Sequence, residues 1–383
     1  MRFNWKLNLD RDNFLTQHWQ SKPLLIRNAI SEFESPVSGD ELAGLALEEG
    51  VESRIIECQD NVWRLQQGPF NVDDFKRDQP WSLLVQAVDH YLPEVAVLRK
   101  LVDFIPQWRV DDIMVSYAVE GGSVGPHYDN YDVFLLQGSG ERLWRLGQFC
   151  DDSAALVPHD QLRILDNFEV TEEHLLRCGD ILYVPPGIAH WGIAQTECVT
   201  FSIGFRAPRI IDMVSRWADQ LLEKLEPDHF YRDNKRAAVT RPGEINHSDL
   251  DRVMSQLKCA LAQADGSKWF GELVTEPHYA LMQDANDVAE IRAALNSAPR
   301  AVEISSAAKL AWQQDAQSIL VFANGECRSF DESVLPSLLI LCERWSLTKL
   351  EIKAILASSG TAALLDYLVD SGVVVLAGSY LAV

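Results

Sequence analysis

The chain has 383 residues, 47% of them hydrophobic, and carries 56 acidic against 34 basic side chains for a net charge of −22. That length predicts two or three domains, and that apolar content excludes a disordered chain. The acid excess argues against nucleic acid, whose binders gain affinity by neutralising phosphate with Lys and Arg. It fits solubility, or attraction to a basic partner. No apolar run approaches the roughly 20 residues that span a bilayer. The opening "MRFNWKLNLDRDNF" lacks the apolar stretch of a signal peptide. Seven scattered cysteines without a CxxC pair fit reduced thiols. A soluble cytoplasmic protein, with no membrane and no direct nucleic-acid contact, is expected.

In chain order, "RDNFLTQHWQSKPLLIRNA" predicts a short helix and then a strand over Pro23–Arg27. "ESRIIECQDNVWRLQQ" alternates on both sides of Asp60-Asn61, which predicts a hairpin. "WSLLVQAVDHYLPEVAVLRKLVDF" has helical spacing, with Pro93 breaking it in two. From Trp108 come short strands, "IMVSYAV", "YDVFLLQ", "RLWRLGQF", "DILYVP" and "CVTFSIGFR", separated by turn residues. Such spacing predicts a sandwich or barrel, the jelly roll being one candidate.

Near Pro208 the pattern becomes helical. "RIIDMVSRWADQLLEKL" and "SDLDRVMSQLKCALAQA" are amphipathic, the second with Ser248 as its expected N-cap, and "SKWFGELVTEP" adds a short third helix. Their apolar stripes can cover a core or form a dimer seam, and the segment offers little else to cover them. From about residue 300, a hairpin signal at Asn324-Gly325 precedes three helical patterns and the strand "VVVLAG". This predicts a winged-helix-like module. From 301 onward it holds 5 Lys/Arg and 9 Asp/Glu, the wrong sign for DNA. The expected domains are therefore 1–208, 209–299 and 300–383.

The stretch "GPHYDNYDVF" sets His127 and Asp129 two residues apart, so in an extended chain both aim at one point. In "GDILYVPPGIAHWG" an apolar strand meets the turn Pro185-Pro186-Gly187, and His190 opens the next strand. A lone His-x-Asp is weak evidence, but His127, Asp129 and His190 together make two imidazoles and one carboxylate. That set holds Fe(II) on one face and leaves the opposite positions open, as in non-haem iron oxygenases. The other seven histidines show no comparable spacing and are read as structural or surface residues.

Gly121–Asp129 and Gly179–His190 resemble the two motifs of the cupin/JmjC superfamily, the second, G-x5-P-x-G-x2-H, in full. "FLTQHWQSKPLLIRNA", "WSLLVQAV", "DDIMVSYAVEGGSVGPHYDNYDVFLLQGSGERLWRLG" and "SIGFRAP" extend the similarity to the bacterial ribosomal oxygenases, the YcfD-like branch of the JmjC hydroxylases. The resemblance covers the first 208 residues most strongly. It implies an α+β chain: a double-stranded β-helix (jelly-roll, JmjC/cupin) catalytic domain, a helical dimerisation region and a winged-helix-like C-terminal domain. It further implies Fe(II), 2-oxoglutarate and O2 as cofactor and cosubstrates, with His127, Asp129 and His190 as metal ligands. The implied reaction hydroxylates an arginine Cβ of large-subunit ribosomal protein sixteen, a basic partner, and the implied assembly is a homodimer.

For the far carboxylate of 2-oxoglutarate, Arg142 and Arg145 compete. They differ in strand parity, and either faces inward depending on a one-residue register shift. The resemblance favours Arg142, with Ser116 supporting the same carboxylate. Thr200 falls where some relatives carry asparagine near the cosubstrate, and Ser202, on the same face, is expected to line the substrate side. Trp191 is read as a packing residue. The competing functions are an N-methyl demethylase of the same chemistry and a non-catalytic cupin binding module.

Overall fold

The computed structural model describes residues 5–377 apart from 61, 229, 235, 237, 239, 264–267, 280–284, 299 and 316–317. Helix α1 (Arg11–Gln17) starts at Asp10, whose carboxylate accepts from the Asn13 N–H. Strand β1 (Leu24–Ile26) follows. Ser38 and Glu41 form a reciprocal capping box at the start of α2 (Gly39–Leu45). The predicted hairpin pairs β2 (Ser53–Gln59) with β3 (Val62–Gln67). Asp60 takes a left-handed φ of 51° at its turn, while Asn61 lies outside the described residues.

The helical expectation from Trp81 onward fails at its start. Trp81–Val85 is a strand, β4, and all five of its residues are buried. Only the short helices α3 (Val88–Tyr91) and α4 (Pro93–Ala96) and a 3-10 segment over Val97–Val102 follow. The physical reason is position. β4 runs between β2 and a later strand with both faces covered, so its apolar run carries no period to separate strand from helix.

The next strands are β5 (Val110–Ala118), β6 (Val133–Ser139), β7 (Glu141–Phe149), β8 (Glu172–Arg177), β9 (Ile181–Val184), β10 (Ile188–Ala194) and β11 (Cys198–Phe205). They build an eight-stranded sheet, β1-β9-β6-β11-β5-β4-β2-β3, facing a three-stranded sheet, β10-β7-β8, with antiparallel pairing throughout. This is the expected jelly roll. Alternation along its strands sorts the side chains. Val133, Leu135, Trp144, Leu146 and Leu176 meet between the sheets. Val115, Phe134, Leu136, Phe201 and Ile203 face the other way, into the larger core under α1 and α2.

Helices α5 (Ile210–Lys224), α6 (His247–Gln263), α7 (Lys268–Thr275) and α8 (Ala285–Ser297) come next. The expected Ser248 cap of α6 is displaced by Asn246. Asn246 Oδ1 accepts from the Asp249 N–H at 3.1 Å, and Ser248 donates to the same oxygen from inside the first turn. The C-terminal part contains β12 (Val302–Ile304), β13 (Leu310–Gln314), β14 (Ile319–Ala323), β15 (Glu326–Phe330), α9 (Leu335–Arg344), β16 (Ser346–Leu347), α10 (Lys349–Leu356), α11 (Ser359–Asp370) and β17 (Val374–Leu376). The β14–β15 hairpin turns at Asn324-Gly325, both at positive φ (47° and 87°). Ile291 and Leu295 of α8 pack into this C-terminal core. Among the described residues no single helix is long and apolar enough to cross a membrane.

Candidate active site

His127 and Asp129 do not sit in a regular strand. The chain before β6 is an extended loop, tied to β10 by one bridge: His127 N–H donates to the His190 carbonyl at 3.1 Å, and His190 N–H returns the bond at 2.8 Å. A strand is not required for the geometry, because an extended loop keeps the two-residue parity. Tyr128 turns away to pack with Cys150, Leu165 and Ala189. The donor atoms of His127, Asp129 and His190 all lie within 4.8 Å of one another, the one such cluster among the described residues.

Each imidazole is oriented from behind. His127 Nδ1 lies 3.0 Å from the Gly125 carbonyl and His190 Nδ1 3.0 Å from the Ile188 carbonyl. A carbonyl only accepts, so Nδ1 carries the proton and Nε2 keeps its lone pair. His190 Nε2 is 3.6 Å from Asp129 Oδ2. Burial, with His127 beside it, pushes the His190 imidazole down to about 4. Two neutral imidazoles and a carboxylate converging on one point can hold a divalent cation.

Arg142 lies deeper in the same space, on β7, and is 2% exposed. Its Nη1 donates to Ser116 Oγ at 3.2 Å and reaches Thr200 Oγ1 at 3.5 Å. Trp144, one inward position along β7, has its ring 4.9 Å from the guanidinium carbon. Gly192 makes this approach possible, since a Cβ there would stand 2.6 Å from Arg142 Nε. Arg142 Nε and Trp144 Nε1 are buried donors that find no acceptor among the described residues. Burial lowers the Arg142 pKa, and a guanidinium stays charged in a protein interior. A buried cation beside unmet donors fits a carboxylate, which takes two of them at once. Arg145, the competitor, lies on the outer face and pairs with Glu173 at 2.7 Å.

The cavity that joins these groups measures about 490 Å³, and Ser116, Thr200 and Ser202 line it together with the triad and Arg142. All of the site residues expected from the sequence therefore come to one space. Trp191 lies outside it, donating to Ser123 Oγ at 2.8 Å and packing edge-on against Phe168. Sequence reasoning missed Trp144, Tyr131 and Asp112, which also line the cavity. Trp144 shares the parity of Arg142, and that signal would have found it. Asp112 is held by Gln86 and by the Ala87 N–H, and no local pattern marks it. Burial, with Asp89 and Asp111 nearby, pushes its carboxyl up to about 6.

Residues 97–213 match the JmjC domain family. The chain is 35% identical to the ribosomal protein uL16 3-hydroxylase of Escherichia coli, over 96% of this chain and 98% of that one. It is 42% identical to a probable ribosomal oxygenase of Haemophilus influenzae, over 52% of this chain and 50% of that one. The structure of the Escherichia coli ribosomal oxygenase YcfD in complex with cobalt and 2-oxoglutarate superposes with a TM-score of 0.81 at 33% identity, covering 98% of this chain and all of that one. Matching along nearly its whole length in both sequence and fold, the chain belongs to the ribosomal oxygenase family of JmjC-domain proteins.

Proposed function

We propose that this protein is an Fe(II)- and 2-oxoglutarate-dependent oxygenase that hydroxylates a ribosomal protein, with uL16 as the substrate and an arginine Cβ as the position attacked. The single observation that carries the reading is a pair of subsites in one cavity: the His127–Asp129–His190 cluster, and the buried Arg142, whose Nε meets no acceptor among the described residues.

The two imidazole Nε2 atoms and the Asp129 carboxylate would hold the metal by one face, and their locked Nδ1 protons keep the rings aimed. One net positive charge then remains on the metal for an anionic keto acid to neutralise. Arg142 and Ser116 would hold the far carboxylate, and Trp144 walls that end against water. When bound, Fe(II) and 2-oxoglutarate let O2 oxidise a C–H bond to C–OH, with succinate and CO2 as the other products. Ser202 and Asp112 line the side left for the substrate. Asp112, an acid burdened by its acidic neighbours, gains from a cationic side chain placed beside it.

The remaining parts support a protein substrate. With a net charge of −22 the surface suits a basic protein met before its assembly with RNA, which supports a cytoplasmic setting. On α5 and α6, Ile210, Ile211, Val214, Val253 and Leu257 are exposed, and a two-fold seam between copies would bury both stripes at once. Three helices and two small sheets are compatible with a winged-helix-like C-terminal unit, whose acid balance suits protein contact. The reading is tested by succinate release from 2-oxoglutarate with purified uL16 present and absent. Release that depends on uL16 supports it, and release indifferent to uL16 removes the substrate assignment.

A further inference from the structure

Gln137 is fully buried behind the cavity and is not among the residues that line it. In the large sheet it stands opposite Thr200, and Thr200 stands opposite Ser116. The three make one polar row across β6, β11 and β5, on the face that looks toward Arg142. A row of polar side chains inside a barrel must satisfy its own hydrogen bonds, and here the partners fix the protons of Gln137 and Thr200.

Gln137 Nε2 lies 2.8 Å from the Ser139 carbonyl oxygen and 3.3 Å from that of Val199. Carbonyl oxygens only accept, so this end of the amide is the NH2 and the other is the oxygen. That oxygen is 3.2 Å from Thr200 Oγ1, which therefore donates to it. A hydroxyl has one proton. Thr200 has only lone pairs left for Arg142 Nη1, 3.5 Å away. Ser116 accepts from the same Nη1 at 3.2 Å, and its own proton meets no acceptor among the described residues.

We infer that Gln137 is a positioning residue for the cosubstrate: it locks Thr200 as an acceptor that aims Arg142, and so leaves Ser116 as the hydroxyl that donates to the far carboxylate. Thr200 and Ser116, alike in chemistry and in place, thus take opposite hydrogen-bonding roles. The inference rests on 2-oxoglutarate binding as proposed above. The competing role for Gln137 is purely structural, since its amide also ties the carbonyls of Ser139 and Val199, beside the register shift at Val199/Thr200.

The test is calorimetric titration of the Mn(II)-loaded protein with two probes, 2-oxoglutarate and 2-oxobutanoate, which has the same keto-acid end but no far carboxylate. Gln137→Leu is expected to weaken 2-oxoglutarate roughly three- to tenfold, the range of a lost neutral hydrogen bond. It should leave 2-oxobutanoate unchanged. The double variant with Thr200→Val should bind 2-oxoglutarate no worse than Thr200→Val alone, because both act through one contact. Ser116→Ala should weaken 2-oxoglutarate independently of both. Gln137→Met, close in shape, replaces Gln137→Leu should the latter not fold. Equal losses for both probes, or additive losses in the double variant, would overturn the inference in favour of the structural role. A wild-type protein that binds 2-oxobutanoate as tightly as 2-oxoglutarate would overturn the Arg142 subsite itself, a separate result.

Discussion

Arg142 and Arg145 leave β7 on opposite faces: Arg142 is 2% exposed between the sheets, and Arg145 lies outside, 2.7 Å from Glu173. Only the inner one can meet a carboxylate in the cavity. Arg142→Ala is expected to raise the 2-oxoglutarate requirement about 10- to 100-fold, from loss of a charge-assisted contact of roughly 1.5–3 kcal/mol. Arg145→Ala loses an exposed ion pair and should change the requirement less than about threefold. Steady-state kinetics in 2-oxoglutarate decides between them, and a reversed order would contradict the assigned faces.

His127 and Asp129 are half-buried on the loop before β6, where the backbone of His127 bridges to His190 of β10 and the Asp129 carbonyl accepts from the Gly187 N–H at 2.8 Å. His127→Ala and Asp129→Ala should therefore abolish uL16-dependent turnover and metal binding while the unfolding temperature stays within a few degrees. Metal analysis after anaerobic reconstitution, with a thermal melt alongside, checks both halves. A variant that retains stoichiometric iron would remove that residue from the ligand set.

Ile211 on α5 and Leu257 on α6 are 69% and 51% exposed, an unusual fate for residues in the apolar stripes of two successive helices. The parent chain should be a dimer, and the double variant Ile211→Glu and Leu257→Glu a monomer at the same concentration. Light scattering reads this directly. A dimer that survives both charges would exclude this surface as the seam.

Lys309 is a buried cation whose amine donates to the carbonyls of Val110 and Asp111, with Arg99, Arg206, Asp89 and Asp111 around it. Burial pushes its pKa from 10.5 down to about 7. Between those values the unfolded chain holds the proton that the folded chain has released, so folding stability rises with pH across that window. The neutral amine still has two protons for the two carbonyls. Relative to Lys309→Met, the parent chain should thus gain unfolding temperature steadily from pH 7 toward pH 10. A difference that is flat over this range would show that Lys309 stays charged.

The metal cluster was legible in the sequence because parity and motif spacing are local. His127 and Asp129 converge whether the stretch is strand or loop, and Pro185-Pro186-Gly187 marks the turn that delivers His190. The choice between Arg142 and Arg145 was not legible from the residues, since it depends on how one turn sets the register of β7. Trp81–Val85 was misread because its burial on two faces erases the alternation that identifies a strand. Gln137 follows the apolar run "VFLL", and no local pattern marks it. Its role needs Thr200, 63 residues later in sequence, brought opposite by the pairing of β6 with β11.

The central claim is that the cavity oxidises a side chain of a ribosomal protein. The most direct measurement is peptide mass spectrometry of purified uL16 after incubation with the Fe(II)-loaded protein, 2-oxoglutarate and air, beside a reaction with His127→Ala. One arginine-containing peptide should gain the mass of one oxygen atom, with fragmentation placing it on the arginine, only in the reaction with the parent chain. An unchanged uL16 in both reactions, while 2-oxoglutarate is still bound, would contradict the account.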